Sequence, residues 1–125
     1  MGVSIDDLRD RNRSVRCNWW NWRPTVELIR SLRLFDDHRL DMLSDGFGEL
    51  TEAEAKQLAE GLERHVLPGL RPGQRVLLNG IVTEMPDDGT FYRDIAEQHK
   101  NYSAHYEWLV KFTEFCKESG GLYVF

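Results

Sequence analysis

The sequence predicts an α+β fold: a mostly helical single domain over residues 1–125, with a small β-sheet built from a hairpin near Asn79-Gly80 and a C-terminal strand. Three observations predict it. Thr51-Glu52-Ala53-Glu54 reads as a capping box that opens onto a Leu/Ala stripe. Trp108, Leu109, Phe112, Phe115 and Cys116 repeat at helical spacing, and Asn79-Gly80 separates two short aliphatic runs in the manner of a hairpin turn. A chain of 125 residues is the size of one domain, and such a domain buries about two thirds of the surface its unfolded form exposes.

Ser4 ahead of Ile5-Asp6-Asp7-Leu8 predicts a helix cap, because the hydroxyl accepts from first-turn N–H groups and the acids face the positive helix end. A short helix over residues 5–11 follows from that reading. The competing reading leaves this stretch irregular and makes Val15 to Trp20 the first strand, on its β-branched and aromatic content. Pro24 suits the first position of a helix, where its missing N–H costs nothing, and predicts a helix from Pro24 to Leu34 burying Val26, Leu28, Ile29, Leu32 and Phe35. Asp36 and Asp37 cap a second short helix through Leu40 and Leu43, which Asp45-Gly46 stops. Ser44 to Glu49 is a plain turn, lacking both the alternating ligands of a calcium loop and the pattern of a phosphate loop.

The Thr51 helix runs to His65 with Ala55, Leu58, Ala59 and Leu62 on one face, and Pro68-Gly69 and Pro72-Gly73 close it. Val76-Leu77-Leu78 and Ile81-Val82-Thr83 flank Asn79-Gly80, which suits a type I′ hairpin; a buried helical piece is the alternative for so short an apolar run. Pro86-Asp87-Asp88-Gly89 marks another turn, and Ser103 is the expected cap of the last helix, with residues 90–100 as a possible helical lead-in. Ser119-Gly120-Gly121 is the expected left-handed stop. Leu122 to Phe125 then forms a strand that pairs with Val15 to Trp20 or with the hairpin.

Composition narrows function. The net charge is −5, with acids spread from Asp6 to Glu118, which argues against non-specific nucleic-acid binding. The basic group Arg9, Arg11, Arg13, Arg16 and Arg23 reads as a solvated face answering Asp6, Asp7 and Asp10. No apolar run is long enough to span a bilayer and no signal-peptide core is present, so a cytoplasmic setting is expected. Cys17 and Cys116 are expected to act as small apolar groups. His38, His65, His99 and His105 have no metal-ligand spacing, and the pairs Asp36-Asp37 and Asp87-Asp88 sit in cap and turn contexts. No catalytic residue, cofactor or metal is expected, and an enzyme with an Asp/His site is the least favoured class.

Three of the four tryptophans lie in Asn18-Trp19-Trp20-Asn21-Trp22-Arg23-Pro24, so the candidate binding residues are Trp19, Trp20, Trp22 and Arg23. If the run is extended its side chains alternate; if it leads into the Pro24 helix, Trp19, Trp22 and Arg23 line one concave edge. Packing alone competes with both, with at least one indole buried and Arg23 stacked on a ring. The favoured function is a non-enzymatic binding protein that docks a protein partner through this Trp/Arg group, as an immunity protein or host modulator would. The alternative is a pocket in which Trp19, Trp20 or Trp22 stacks a planar, nucleotide-like anion and Arg23 pairs with its charge.

The Trp-Arg-Pro run and the ending Phe112 to Val124, with Ser119-Gly120-Gly121-Leu122, resemble a family of uncharacterised proteins from bacteria and their phages. Between them, Asp45-Gly46-Phe47-Gly48-Glu49-Leu50 and the helix from Thr51 to Leu62 match that family's acidic glycine loop and Leu/Ala-rich helix. Some relatives insert a Cys-rich segment after that helix; this chain has none, so the resemblance carries no zinc. What it implies is a setting in bacterial or phage accessory biology.

Overall fold

The computed structural model describes residues 2–87 and 89–125. The chain is an α+β domain with two antiparallel sheets rather than one. Strands β1 (Gly2–Asp7), β2 (Ser14–Asn18), β3 (Gly48–Thr51) and β7 (Gly121–Val124) form a sheet in the order β2-β1-β7-β3. Strands β4 (Arg75–Leu77), β5 (Val82–Thr83) and β6 (Ser103–His105) form a second in the order β5-β4-β6. Helices α1 (Trp19–Ser31), α2 (Asp37–Ser44), α3 (Glu52–His65) and α4 (Tyr106–Glu118) pack around them, with 3-10 turns at Leu67–Gly69 and Ile95–Asn101.

The N-terminus corrects the first expectation. Residues 2–7 form a strand, not a helix, because Val3, Ile5 and Asp7 are buried while Ser4 and Asp6 alternate outward, which is a period of two. Ser4 does not cap; its N–H and carbonyl pair with Phe125 at 2.9 Å each way. The last strand therefore lies between β1 and β3, with Ile5 opposite Val124 and Leu50 opposite Leu122, and pairs with neither β2 nor the hairpin. An apolar tail adjacent to an alternating N-terminal strand buries both inner faces at once, and that gain is invisible to local pattern.

Helix α1 begins five residues before the expected proline. Asn18, extended at φ −83 and ψ 166, is its N-cap, and Pro24 sits inside the helix. The helix ends at Ser31, short of the expected Leu34, where Arg33 turns left-handed at φ 57. Asp36 caps α2 as expected, accepting from the Arg39 N–H at 2.8 Å, and the Thr51 capping box is complete, with both reciprocal bonds made to Glu54. Glu54 also forms a two-pronged ion pair with Arg39. Ala55, Leu58, Ala59 and Leu62 of α3 are all buried.

The Asn79-Gly80 hairpin is present, with β4 antiparallel to β5, yet its turn is not type I′. Gly80 N–H bonds to Leu77 O at 2.9 Å, Leu77 N–H to Ile81 O at 2.8 Å, and only Gly80 has positive φ, at 88. That is a type I turn closed by a glycine bulge, a loop one residue longer than expected. Asp88, part of the turn expected at Pro86 to Gly89, lies outside the described residues. Ser103 lies in β6 and does not cap; α4 starts at Tyr106, and its N-cap His105 makes no side-chain cap bond. Among the described residues no helix is long and apolar enough to cross a membrane.

Candidate functional site

The Asn18 side-chain oxygen accepts from the Asn21 N–H at 2.9 Å, so the tryptophan run is the first turn of α1 and its side chains fan out around the helix. Trp22 points inward: it is 1% exposed, its Nε1 donates to Leu43 O at 2.6 Å, and it meets the Phe112 ring edge-on at 5.9 Å. Trp19 is half-buried and lies so close on Gly46 that a Cβ there would fall 2.5 Å from the indole. Trp20 points outward and is 44% exposed. Arg23, one turn on, is exposed as well; its guanidinium carbon sits 5.0 Å from the centre of the Tyr102 ring and its Nη1 donates to the Tyr102 hydroxyl at 3.4 Å. Trp20 packs on the same ring, with centroids 4.9 Å apart. An i, i+3 pair thus sets an indole and a cation against one tyrosine.

Beside Trp20 the surface sinks into a cavity of about 300 Å³ bordered by Asn18, Trp20, Asn21, Phe91, Asn101 and His105. Phe91 faces Trp20 edge-on at 6.0 Å. Its place is set by Asn101, whose carboxamide accepts from Tyr92 N–H at 2.7 Å and donates to Tyr92 O at 2.8 Å. Arg75 fastens the approach to that wall, donating to Met85 O at 2.8 Å and to Ser103 Oγ at 3.1 Å. Residues distant in the chain are therefore fixed around one opening by backbone-directed hydrogen bonds, which cost little conformational freedom once the sheet has formed.

Several polar groups at the cavity are unspent. Asn21 Oδ1 is out of contact with solvent and has no donor. Such an acceptor costs roughly 1–3 kcal/mol while it stays unpaired. The His105 imidazole and the Asn18 amide nitrogen also make no hydrogen bond among the described residues. Asp87 and Ser103 complete the polar border, and no Lys or Arg is among its described residues. Of the four residues marked by sequence, Trp20 alone borders the cavity; Trp22 is in the core, Trp19 lies against Gly46, and Arg23 is engaged with Tyr102.

Comparison with protein-family models, with curated proteins and with solved structures finds no match. The residues of the site carry the functional reading by themselves. Burial pushes the half-buried Cys17 thiol up to about 12 and raises that of the buried Cys116 as well, so both stay protonated and weakly nucleophilic at neutral pH. Among the described residues no group of three or more His, Cys, Asp or Glu is arranged to hold a metal ion. Sequence reasoning passed over Asn18, Asn21, Phe91, Asn101 and His105. The one local signal was the pair of amides interleaved with the tryptophans, of which Asn18 also serves as the cap of α1.

Proposed function

We propose that the protein is a binding protein that takes a small planar ligand into the cavity bordered by Trp20 and Phe91. One observation carries this reading: Trp20 is left 44% exposed at a concave edge, while Trp22, two residues on, is sealed in the core. Aromatic walls with a few convergent polar groups are the usual makeup of small-molecule sites, and an open indole offers a stacking face at low entropic cost. Trp20→Ala tests it. Removing an exposed ring should leave the melting temperature within about 2–3 °C of the parent, and it should weaken ring ligands by at least about tenfold, as loss of one stacking face does. A panel of planar heterocycles, followed by tryptophan quenching and thermal shift, reads both; a ligand that binds parent and variant equally well is not using this site.

A second reading, docking of a protein partner by a chain of bacterial or phage accessory function, is favoured by a different observation. Ile81, Val82, Met85, Phe91 and Ile95 are all exposed, Ile95 at 86%, within one short stretch that includes edge strand β5. Exposed apolar groups gathered in this way are a common feature of interaction surfaces. Here the expected result is a partner recovered from native lysate by the parent chain and lost with Ile95→Glu, a surface change that leaves the fold intact. Equal recovery by both chains would remove Ile95 from any interface.

A further inference from the structure

We infer that the ligand of the Trp20 cavity is an uncharged nucleobase-type heterocycle, taken as free base or nucleoside rather than as a phosphorylated nucleotide. The inference rests on the cavity being a ligand site, and goes beyond it in naming the edge and the charge of what binds. The decisive group is Asn21. Neither end of its carboxamide is hydrogen-bonded; the oxygen is out of contact with solvent, and because the last torsion of such a side chain turns between two broad wells, Asn21 can offer a guest either an acceptor or a donor. An amide that can serve as acceptor or donor matches the polar edge of a nucleobase, where amino groups and ring nitrogens stand side by side. Trp20 and Phe91 supply the aromatic surfaces for the ring. The free Asn18 amide and His105 imidazole remain for a second edge or for sugar hydroxyls.

Charge decides against a phosphate. No Lys or Arg is among the described residues lining the cavity, and Asp87 is there. Arg23, the nearest guanidinium along the helix, is not among the lining residues and lies against the Tyr102 ring, with one Nη1 bond of 3.4 Å to its hydroxyl. The start of α1 does carry the positive end of the helix, and its first turn has no acid of its own. That partial charge, however, is met by the Asn18 cap on the Asn21 N–H and by the Asp87 carboxylate in the same cavity. A dianion entering would shed its water next to a carboxylate without gaining a full cation, in a protein of net charge −5.

Titration of the full chain with adenine, adenosine and AMP at fixed salt tests this, with naphthalene sulfonamide as a ring that lacks a nucleobase edge. Adenosine should bind at least about tenfold more tightly than AMP, and both Asn21→Asp and Asn21→Ala should weaken adenosine by about threefold to tenfold, the size expected for one hydrogen bond to the ring edge. Asn21→Asp puts an acid into a first turn that has none, so circular dichroism and melting should show it folded. AMP binding as tightly as adenosine overturns the inference, and so does an Asn21→Ala variant that keeps full adenosine affinity. If only the sulfonamide binds, and Trp20→Ala abolishes that, the nucleobase assignment falls while the ligand cavity stands. If no ring binds at all, both fall.

Discussion

Replacing Asp7 with alanine should lower stability by roughly 2–4 kcal/mol, the penalty for removing a buried carboxylate whose partners are left unpaired. Asp7 is 1% exposed, and its Oδ1 accepts from two backbone N–H groups, those of Arg9 and Gly120, at 2.9 Å each. Its other oxygen lies 3.5 Å from Arg13 Nη1, and Arg13 reaches on to Glu118 at 3.3 Å. One side chain thereby ties the β1–β2 turn to the turn between α4 and β7, where the two ends of the chain meet. Burial alone would push this carboxyl up, but the backbone donors Gly120, Arg9 and Asp10, together with the Arg13 guanidinium, outweigh it and hold the group below its ordinary value of 3.8. The sign follows from linkage. A carboxyl lowered in the folded state stabilises fully above its unfolded pKa, and that stability drains away as pH falls through the lower folded value. Glu54, held down to about 2 chiefly by the hydrogen bond from Arg39, adds a second loss over the interval below 4.5. Urea titrations at pH 7, 4 and 2.5 should show the parent weakening across that range. Asp7→Asn keeps an acceptor without the charge, so it should start less stable at pH 7 and show a shallower acid loss; an Asp7→Asn profile parallel to the parent would assign the acid sensitivity elsewhere.

How far the chain could be read depended on where the deciding interaction lay. The Thr51 capping box, the Asp36 cap and the buried face of α3 were legible because both partners sit within one helical turn. The start of α1 was misjudged for a comparable reason: Pro24 and Asn18 are both valid start signals, and Asn18 prevails because starting there sends Trp22 into the core onto Leu43 and Phe112. Ser4 and Ser103 looked like caps and are strand residues, since a hydroxyl can cap only where no sheet edge competes for its backbone. The site was half legible. Tryptophans and amides in one run lie along one side of the cavity, yet the opposing wall depends on Asn101 gripping Tyr92 and on Arg75 gripping Met85, contacts that only the folded chain brings together.

Trp22→Ala and Trp20→Ala, side by side, separate architecture from recognition within the cluster. Trp22→Ala should cost about 3–5 kcal/mol, the range for emptying a large aromatic from a packed core. Besides its volume the indole supplies a donor to Leu43 O at the end of α2, and its edge meets Phe112, which in turn stacks on Trp108 at 5.4 Å. Trp108 is itself tied back to α1, its Nε1 donating to Thr25 Oγ1 at 2.9 Å while that hydroxyl donates to Asn21 O at 2.7 Å. The three rings and the threonine therefore bind α1, α2 and α4 into one unit, and loosening it should also loosen the helix turn that holds Asn21 and Trp20 at the cavity. Trp22→Phe keeps a ring in the core but removes part of the volume and the indole donor, leaving Leu43 O with the Gly46 N–H at 3.0 Å, and the expected loss is about 1–3 kcal/mol, smaller than that of Trp22→Ala. Trp20→Ala, by contrast, should leave the denaturation midpoint nearly unchanged, because the ring it removes is already half in water. Chemical denaturation of the three variants gives these differences directly. A Trp20→Ala loss as large as that of Trp22→Ala would mean that the contacts of Trp20 with Phe91 and Tyr102 hold the fold together, and the open indole would then be packing rather than a place for a ligand.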